Sequence, residues 1–465
     1  MKEKKVTLSN QQSKFLYFIK LFFYRVLNNS FKIILTIFLL TFFPSFTFPQ
    51  EKIVGHGGPV KGLTVSKNGF LVSTSFDYTS IIWSLNEMKE INSLNDHFAA
   101  VNVAKFSPDE KTLVTAGDDM RVLIYDAQNL TKILNAKELG THSGKVSDIA
   151  FSNDGKLMAS AGWGGSIMIW DMDQELLIVK TTAGHKGPIN SLQFSNDGNY
   201  LYSSGYDGTI RKFDIFNNIS KGMLISHGWG VNVFYFDEDQ NIISYGTTDG
   251  SIILFDFNKE KKILNIGEER IPILTMCLNS DKSIIAFGNS KGRVVIFDLD
   301  DNSLIRDFRA AHGPVWALAL NLDSTMLFVG GLDDYINQWD LVTYPQPVIV
   351  PPGPARRFNP SNLTSNGQKQ FARKCSVCHT LEQDGKRRAG PTLHKVFGRV
   401  AGSLEGYKYS DALINSKIVW NGKTIHQLFT EGPDVVLPGT KMPIQRMKSS
   451  SDRVDLVNFL KEATE

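Results

Sequence analysis

At 465 residues, with 42% hydrophobic and 21% charged residues, the chain has room for two or three packed domains and is not a disordered or low-complexity protein. A net charge of +3, with no run of Lys and Arg interleaved with aromatics, excludes a nucleic-acid-binding signature. Three cysteines exclude a disulfide framework.

The charge is uneven. Residues 1–50 carry about +6, residues 51–355 about −11 and residues 356–465 about +8. An acidic middle and a basic end can dock on each other or steer a charged partner, and two domains of separate origin give the same asymmetry. Lys2, Lys4, Lys5, Lys14, Lys20, Arg25 and Lys32 precede the uncharged stretch Ile33 to Phe48. This is the layout of an export signal or membrane anchor over residues 1–50. Its apolar core, Ile33 to Phe43, is shorter than the roughly 20 residues of a free-standing span. Ser45-Phe46-Thr47 is a poor cleavage site, which favours retention of residues 31–48 as a tether. The expected location is the periplasmic side of an inner membrane, or its intermembrane-space equivalent.

Residues 51–342 repeat with a period of roughly 43 residues, the range of propeller blades. Each repeat opens near a histidine: His56, His97, His142, His185, His227 and His312. Each closes on an aromatic, at Trp83, Tyr125, Trp170, Phe213, Phe255, Phe297 or Trp339. The histidine-to-aromatic interval is 27 or 28 residues throughout, and the sixth of the seven repeats lacks its histidine. Alternating runs such as Val146–Phe151 and Ser166–Trp170 read as strands. Asn153-Asp154-Gly155, Asn196-Asp197-Gly198, Asp207-Gly208 and Asp249-Gly250 read as turns between them. Cys277, in the run Ile273–Leu278, reads as a small buried hydrophobe.

This pattern resembles the WD-repeat family, which implies an all-β, seven-bladed propeller acting as a protein-binding platform. Aspartates stand six residues before the closing aromatic at Asp77, Asp119, Asp207, Asp249 and Asp333. The resemblance implies that these bond the repeat histidines in a structural network, with Gly164 and Lys291 breaking the pattern in repeats three and six. It also implies that Lys52-Ile53-Val54-Gly55 supplies the strand that completes the last blade. Histidines spaced one per blade around a ring do not converge on a metal.

Residues 343–361 hold six of the seventeen prolines and read as a semi-rigid spacer. Residues 362–465 suit a small all-α domain, with helices expected over Gln368–Arg373 and Ser451–Leu460. Between them stands Cys375-Ser376-Val377-Cys378-His379, the pattern of a c-type haem attachment site. Two thiols at this spacing can bond the two vinyl groups of one porphyrin, with the histidine placed to ligate its iron. Zinc would need a second ligand pair, and only His394 and His426 are available. A thioredoxin-like motif would need strand–helix alternation, which is absent.

Gly390-Pro391-Thr392-Leu393, Gly398-Arg399, Gly406 to Ser410, Trp420 and Pro438 to Pro443 follow in order. This run resembles the mitochondrial-type (class I) cytochromes c. The resemblance implies one covalent haem c on Cys375 and Cys378, with His379 and Met442 as iron ligands. It further implies that Pro391 accepts a hydrogen bond from the His379 ring, and that Arg399, Tyr407, Tyr409 and Trp420 surround the propionates. Gly367 and Phe371 match the first helix where it packs on the last. Phe429 stands where the family has a tyrosine and Leu413 where it has an asparagine, so the pocket is expected to be more apolar and its potential retuned.

The expected function is one-electron transfer by a tethered cytochrome, with no catalytic residues of its own. The alternative is an oxidoreductase whose cytochrome relays electrons to a second cofactor in the propeller. Lys386, Arg387, Arg388, Lys395, Lys408, Lys441 and Lys448 are expected to ring the haem edge and attract a redox partner with an acidic docking face. The propeller is expected to bind a protein assembly.

Overall fold

The computed structural model describes residues 52–132, 136–267, 270–342, 363–383, 388–407, 409–438, 440, 442 and 445–464. The N-terminal segment read as a signal or anchor and the proline-rich spacer lie outside these residues. Among the described residues no helix is long and apolar enough to cross a membrane.

Seven four-stranded antiparallel sheets follow one another along the described chain. Blades 1 to 6 take their four strands in sequence order, from an innermost strand outward. Blade 1 comprises Val60–Val65, Phe70–Ser75, Ser80–Ser84 and Lys89–Leu94. Blades 2 to 6 occupy residues 101–141, 146–181, 189–226, 231–267 and 273–309. Blade 7 is built from Val315–Leu320, Met326–Gly331 and Tyr335–Asp340, and Lys52–Val54 is its fourth strand. Ile53 lies opposite Ile336 in that pairing. The two ends of the repeat array are thereby joined, as the sequence suggests, and closure leaves no long open sheet edge.

The strand pattern follows the radial position of each strand. The second strands, such as Leu157–Gly162, are covered on both faces by neighbouring blades and are buried along nearly their whole length. Outer strands such as Leu176–Thr181 are mostly exposed. Between blades 3 and 4, Ala159, Ile167, Ile169, Ile189, Leu201 and Phe213 interlock in one cluster. Cys277 packs beside the cluster shared by blades 6 and 7, and burial pushes its thiol up to about 12.

In blades 1 to 5 a histidine ties the blade together from within. His56 Nδ1 lies 2.9 Å from Asp77 Oδ2, and its Nε2 lies 2.7 Å from Ser73 Oγ. That hydroxyl oxygen accepts the Trp83 Nε1–H at 2.7 Å. His97–Asp119 and His185–Asp207 repeat the arrangement, whereas His227 turns its Nε2 to Asp249 at 3.4 Å and its Nδ1 to the Tyr245 hydroxyl. In blade 3, where Gly164 replaces the aspartate, His142 keeps Ser160 at 2.7 Å, but its Nδ1 finds no partner among the described residues. Burial pushes that ring down to about 4. No group of three His, Cys, Asp or Glu side chains able to hold a metal occurs among the described residues.

The C-terminal domain holds helices α1 (Asn366–Lys374), α2 (Asp411–Ile414), α3 (Gly422–Glu431), α4 (Pro433–Val436) and α5 (Ser450–Thr464). Ser365 and Gln368 form a capping box that starts α1 two residues before the expected position. α1 crosses α5 at Gly367, where a Cβ would lie 2.2 Å from the Asp455 carbonyl oxygen and 2.6 Å from the Phe459 Cβ. Only glycine fits there. Phe371 then meets Phe459 with the rings tilted and centroids 5.7 Å apart, and Asn366 bonds both Asp452 and Asp455.

Candidate cofactor site

Packing α1 against α5 leaves a largely apolar hollow on the other side of the small domain. Its lining is mostly apolar with a few polar side chains set among it, the make-up of a cofactor pocket. Cys375, Cys378, His379, Pro391, Arg399, Tyr407, Tyr409, Trp420 and Met442 all line it. All nine site residues inferred from the sequence are therefore brought to one cavity, from segments as far apart as α1 and the loop before α5.

Each wall has a local cause. The last turn of α1 delivers Cys375, whose N–H bonds the Phe371 carbonyl, and one further turn delivers Cys378 and His379. His379 donates its Nδ1–H to the Pro391 carbonyl at 2.7 Å, which leaves Nε2 as the nitrogen able to ligate. The ring stands tight against Gly390, where a Cβ would lie 2.4 Å from its Cε1. Burial pushes the imidazole below its ordinary range, despite the Pro391 bond, so its lone pair is kept unprotonated. Burial likewise holds the Cys375 thiol up at about 12 and raises that of Cys378.

Arg399 donates to the carbonyls of Thr392 at 2.6 Å and His394 at 3.2 Å, and Tyr407 donates to the Ala389 carbonyl at 2.5 Å. Both polar ends thus brace the loop that carries Pro391. Tyr407 and Tyr409 meet edge to face at 4.7 Å. Leu413, Ile425, Leu428, Phe429 and Leu460 supply an apolar wall, which includes both positions that depart from the family pattern.

Two further lining residues carry buried polar atoms. Ser410 Oγ and Gln445 Oε1 have no hydrogen-bond partner among the described residues. An unsatisfied buried hydroxyl is costly unless something completes it. A donor of this kind suits a planar apolar group that carries carboxylates, so the cavity fits a haem. Ser410 closes the Gly406 to Ser410 run without a role assigned to it from sequence, and Gln445 did not stand out, since an isolated Gln has no spacing signal.

The expected basic ring is partly redrawn. Lys395 and Lys448 are exposed, whereas Lys386, Arg387, Lys408 and Lys441 lie outside the described residues. Arg388 does not belong to such a ring. It is only 4% exposed and donates from Nη1 to the Gly57 carbonyl of the propeller at 3.2 Å. Packing against blade 1 removes it from the surface. Tyr78, also from blade 1, completes the cavity lining.

The cytochrome c family model matches residues 364–464. Cytochrome c of Gibberella zeae is 43% identical over 98 residues, covering 21% of this chain and 92% of that protein. The chain belongs to the cytochrome c family. Cytochrome c of Nigella damascena is 37% identical over 105 residues, 23% of this chain and 94% of that protein. For cytochrome c of Theileria parva the identity is 41% over 105 residues, 23% of this chain and 90% of that protein. The family's cofactor is a covalently bound haem c, so this cytochrome is a haem electron carrier. The WD domain, G-beta repeat model matches residues 88–126, 135–171, 177–214 and 302–340. The rest of the seven-bladed ring is evident from its strands. The cytochrome is therefore joined to a propeller of the protein-interaction type, in a chain that also meets redox partners.

Proposed function

We propose that this protein is an exported one-electron carrier with His379 and Met442 as iron ligands, held in a larger redox assembly by its propeller. The observation that carries this reading is the convergence of Cys375, Cys378, His379 and Met442 on one apolar cavity. When bound, haem c would supply reversible Fe(III)/Fe(II) chemistry, and His379 and Met442 would hold its iron and leave no open site for a substrate.

The chain's own residues perform the remaining work. Cys375 and Cys378 fix the cofactor covalently, so the carrier cannot lose it. Pro391 orients the His379 ring through its carbonyl. Met442 offers a soft thioether, which favours the reduced iron and a high potential. Leu413, Phe429 and Leu428 exclude water and favour the less charged state. Ser410 offers a hydroxyl donor to a propionate. Lys395 and Lys448 contribute exposed positive charge to steer an acidic partner.

Residues 1–50 would direct export to the periplasmic side of an inner membrane or to the intermembrane space, with residues 31–48 as a tether. Haem attachment outside the cytoplasm fits that route. Protease protection of the full chain in fractionated cells tests it, and a chain found only in the cytosol would refute it. For the ligands, the decisive variant is Met442→Ala. Ferrous wild-type protein is expected not to bind carbon monoxide, whereas Met442→Ala binds it at the opened position. An unchanged spectrum in the variant would assign the sixth ligand elsewhere.

A further inference from the structure

Each blade turns from its second to its third strand through a tight corner. In blades 3 to 6 the same corner position is a glycine with positive φ: Gly165 at 73°, Gly208 at 78°, Gly250 at 98° and Gly292 at 93°. Blade 1 places Tyr78 there, at φ 72°, and blade 2 places Met120, at φ 68°. A large L-residue is strained in this region, and the exposed Met120 shows that the corner alone marks no site; what sets Tyr78 apart is where its side chain lies. The side chain of Tyr78 is half-buried and lines the cavity together with Cys378, Ala389 and His379.

A second tie lies beside it. Asp77 is locked by His56, by the Gly57 N–H at 2.7 Å and by Thr79, which fixes the Tyr78 corner from the propeller side. The Gly57 carbonyl accepts from the buried Arg388. Arg388 begins a four-residue segment with every member engaged. Ala389 accepts from Tyr407, the Gly390 N–H bonds the Cys378 carbonyl at 2.9 Å, and Pro391 accepts from His379. Four residues thus run from the propeller contact to the ligand histidine.

We propose that blade 1 is part of the cofactor site, with Tyr78 as a positioning residue that closes the cavity beside Cys378 and Arg388 as its anchor. This rests on the haem reading of the cavity. The edge beside Cys378 is then an internal interface, closed to a freely diffusing partner. Shielding it from water stabilises the less charged iron and raises the potential. The burial that pushes the Tyr78 hydroxyl above its ordinary range accords with this enclosed position.

The test compares full-length wild type with Tyr78→Gly, Tyr78→Phe and Arg388→Gln. Three readouts apply: the urea midpoint of the propeller, the reduction potential, and hydrogen exchange of residues 375–391. Tyr78→Gly relieves the corner, so the propeller midpoint stays or rises. The potential nevertheless falls, and exchange in that segment speeds at least tenfold. Tyr78→Phe lies closer to wild type than to Tyr78→Gly, and Arg388→Gln accelerates exchange in the same segment. Tyr78→Gly with unchanged potential and unchanged exchange overturns the proposal. Were the chain without covalent haem, exchange would still report the contact by itself, so the two failures are distinguishable. Accelerated exchange then upholds the interface, and unaltered exchange rejects it.

Discussion

The Nδ1–H of His379 meets the carbonyl oxygen of Pro391 at 2.7 Å, and this bond settles which ring nitrogen can ligate. Because the acceptor is a backbone oxygen, the side chain of Pro391 acts only by stiffening the loop. Pro391→Ala keeps the carbonyl and is expected to move the potential by no more than about 59 mV, a tenfold change for a one-electron couple. Spectroelectrochemistry checks this. A larger shift would mean that the proline ring itself shapes the pocket.

Gly367 sets the closest approach of α1 to α5. Gly367→Ala places a methyl group against the Asp455 carbonyl, and the two helices must part. The expected destabilisation is about 1–3 kcal/mol, the usual range for overpacking. It should appear as a lower urea midpoint for the cytochrome absorbance while the propeller transition is unaffected. A neutral result would mean that α5 shifts freely on α1.

Closure of the ring depends on a three-residue strand. Ile53 is 4% exposed and packs with Leu71, Ile81 and Trp83 of blade 1 and Phe328 and Ile336 of blade 7. Ile53→Ala should cost about 2–5 kcal/mol. Equilibrium denaturation of the full chain measures it, and an unchanged propeller midpoint would show that the strand is dispensable.

Acid should unfold the propeller in two phases. His142 is held down to about 4 by burial, against ~6.5 in the unfolded chain. The unfolded state therefore takes the proton first, and stability is lost as pH falls from about 6.5 to 4. The loss is up to about 3 kcal/mol. Asp77, Asp119, Asp207 and Asp249 are held below the usual carboxylate range, Asp207 down to about 2. For each, burial opposes this and is outweighed by hydrogen bonds and the paired histidine. Their contribution is complete above ~4 and is lost as pH drops through the folded values. Burial also pushes His185 below its ordinary range, so His142→Gln should diminish the first phase and leave the second intact. Identical pH profiles for variant and wild type would contradict the assignment.

The repeat and the haem motif were legible because each is a spacing. A histidine 27 or 28 residues before an aromatic, seven closing aromatics, and Cys-x-x-Cys-His with Pro391 and Met442 downstream all survive as linear patterns. First and third strands such as Val146–Phe151 and Ile167–Asp171 were also legible, since their apolar residues recur at strand spacing between turn signals. Outer strands such as Leu176–Thr181 carry mixed, exposed residues and signal little. Contacts between domains left no linear trace. Arg388 reads as one more surface cation until its guanidinium is found against Gly57, and Tyr78 reads as a turn residue. One signal was available: a tyrosine follows Asp77 at the corner position that is glycine in blades 3 to 6.

The carrier reading is tested most directly by a potentiometric titration of the full-length protein, paired with haem quantification and metal analysis. One haem per chain and a single one-electron wave are expected, with no other redox centre. A second wave, or a second cofactor bound by the propeller, would contradict the account and favour an oxidoreductase in which the cytochrome only relays electrons.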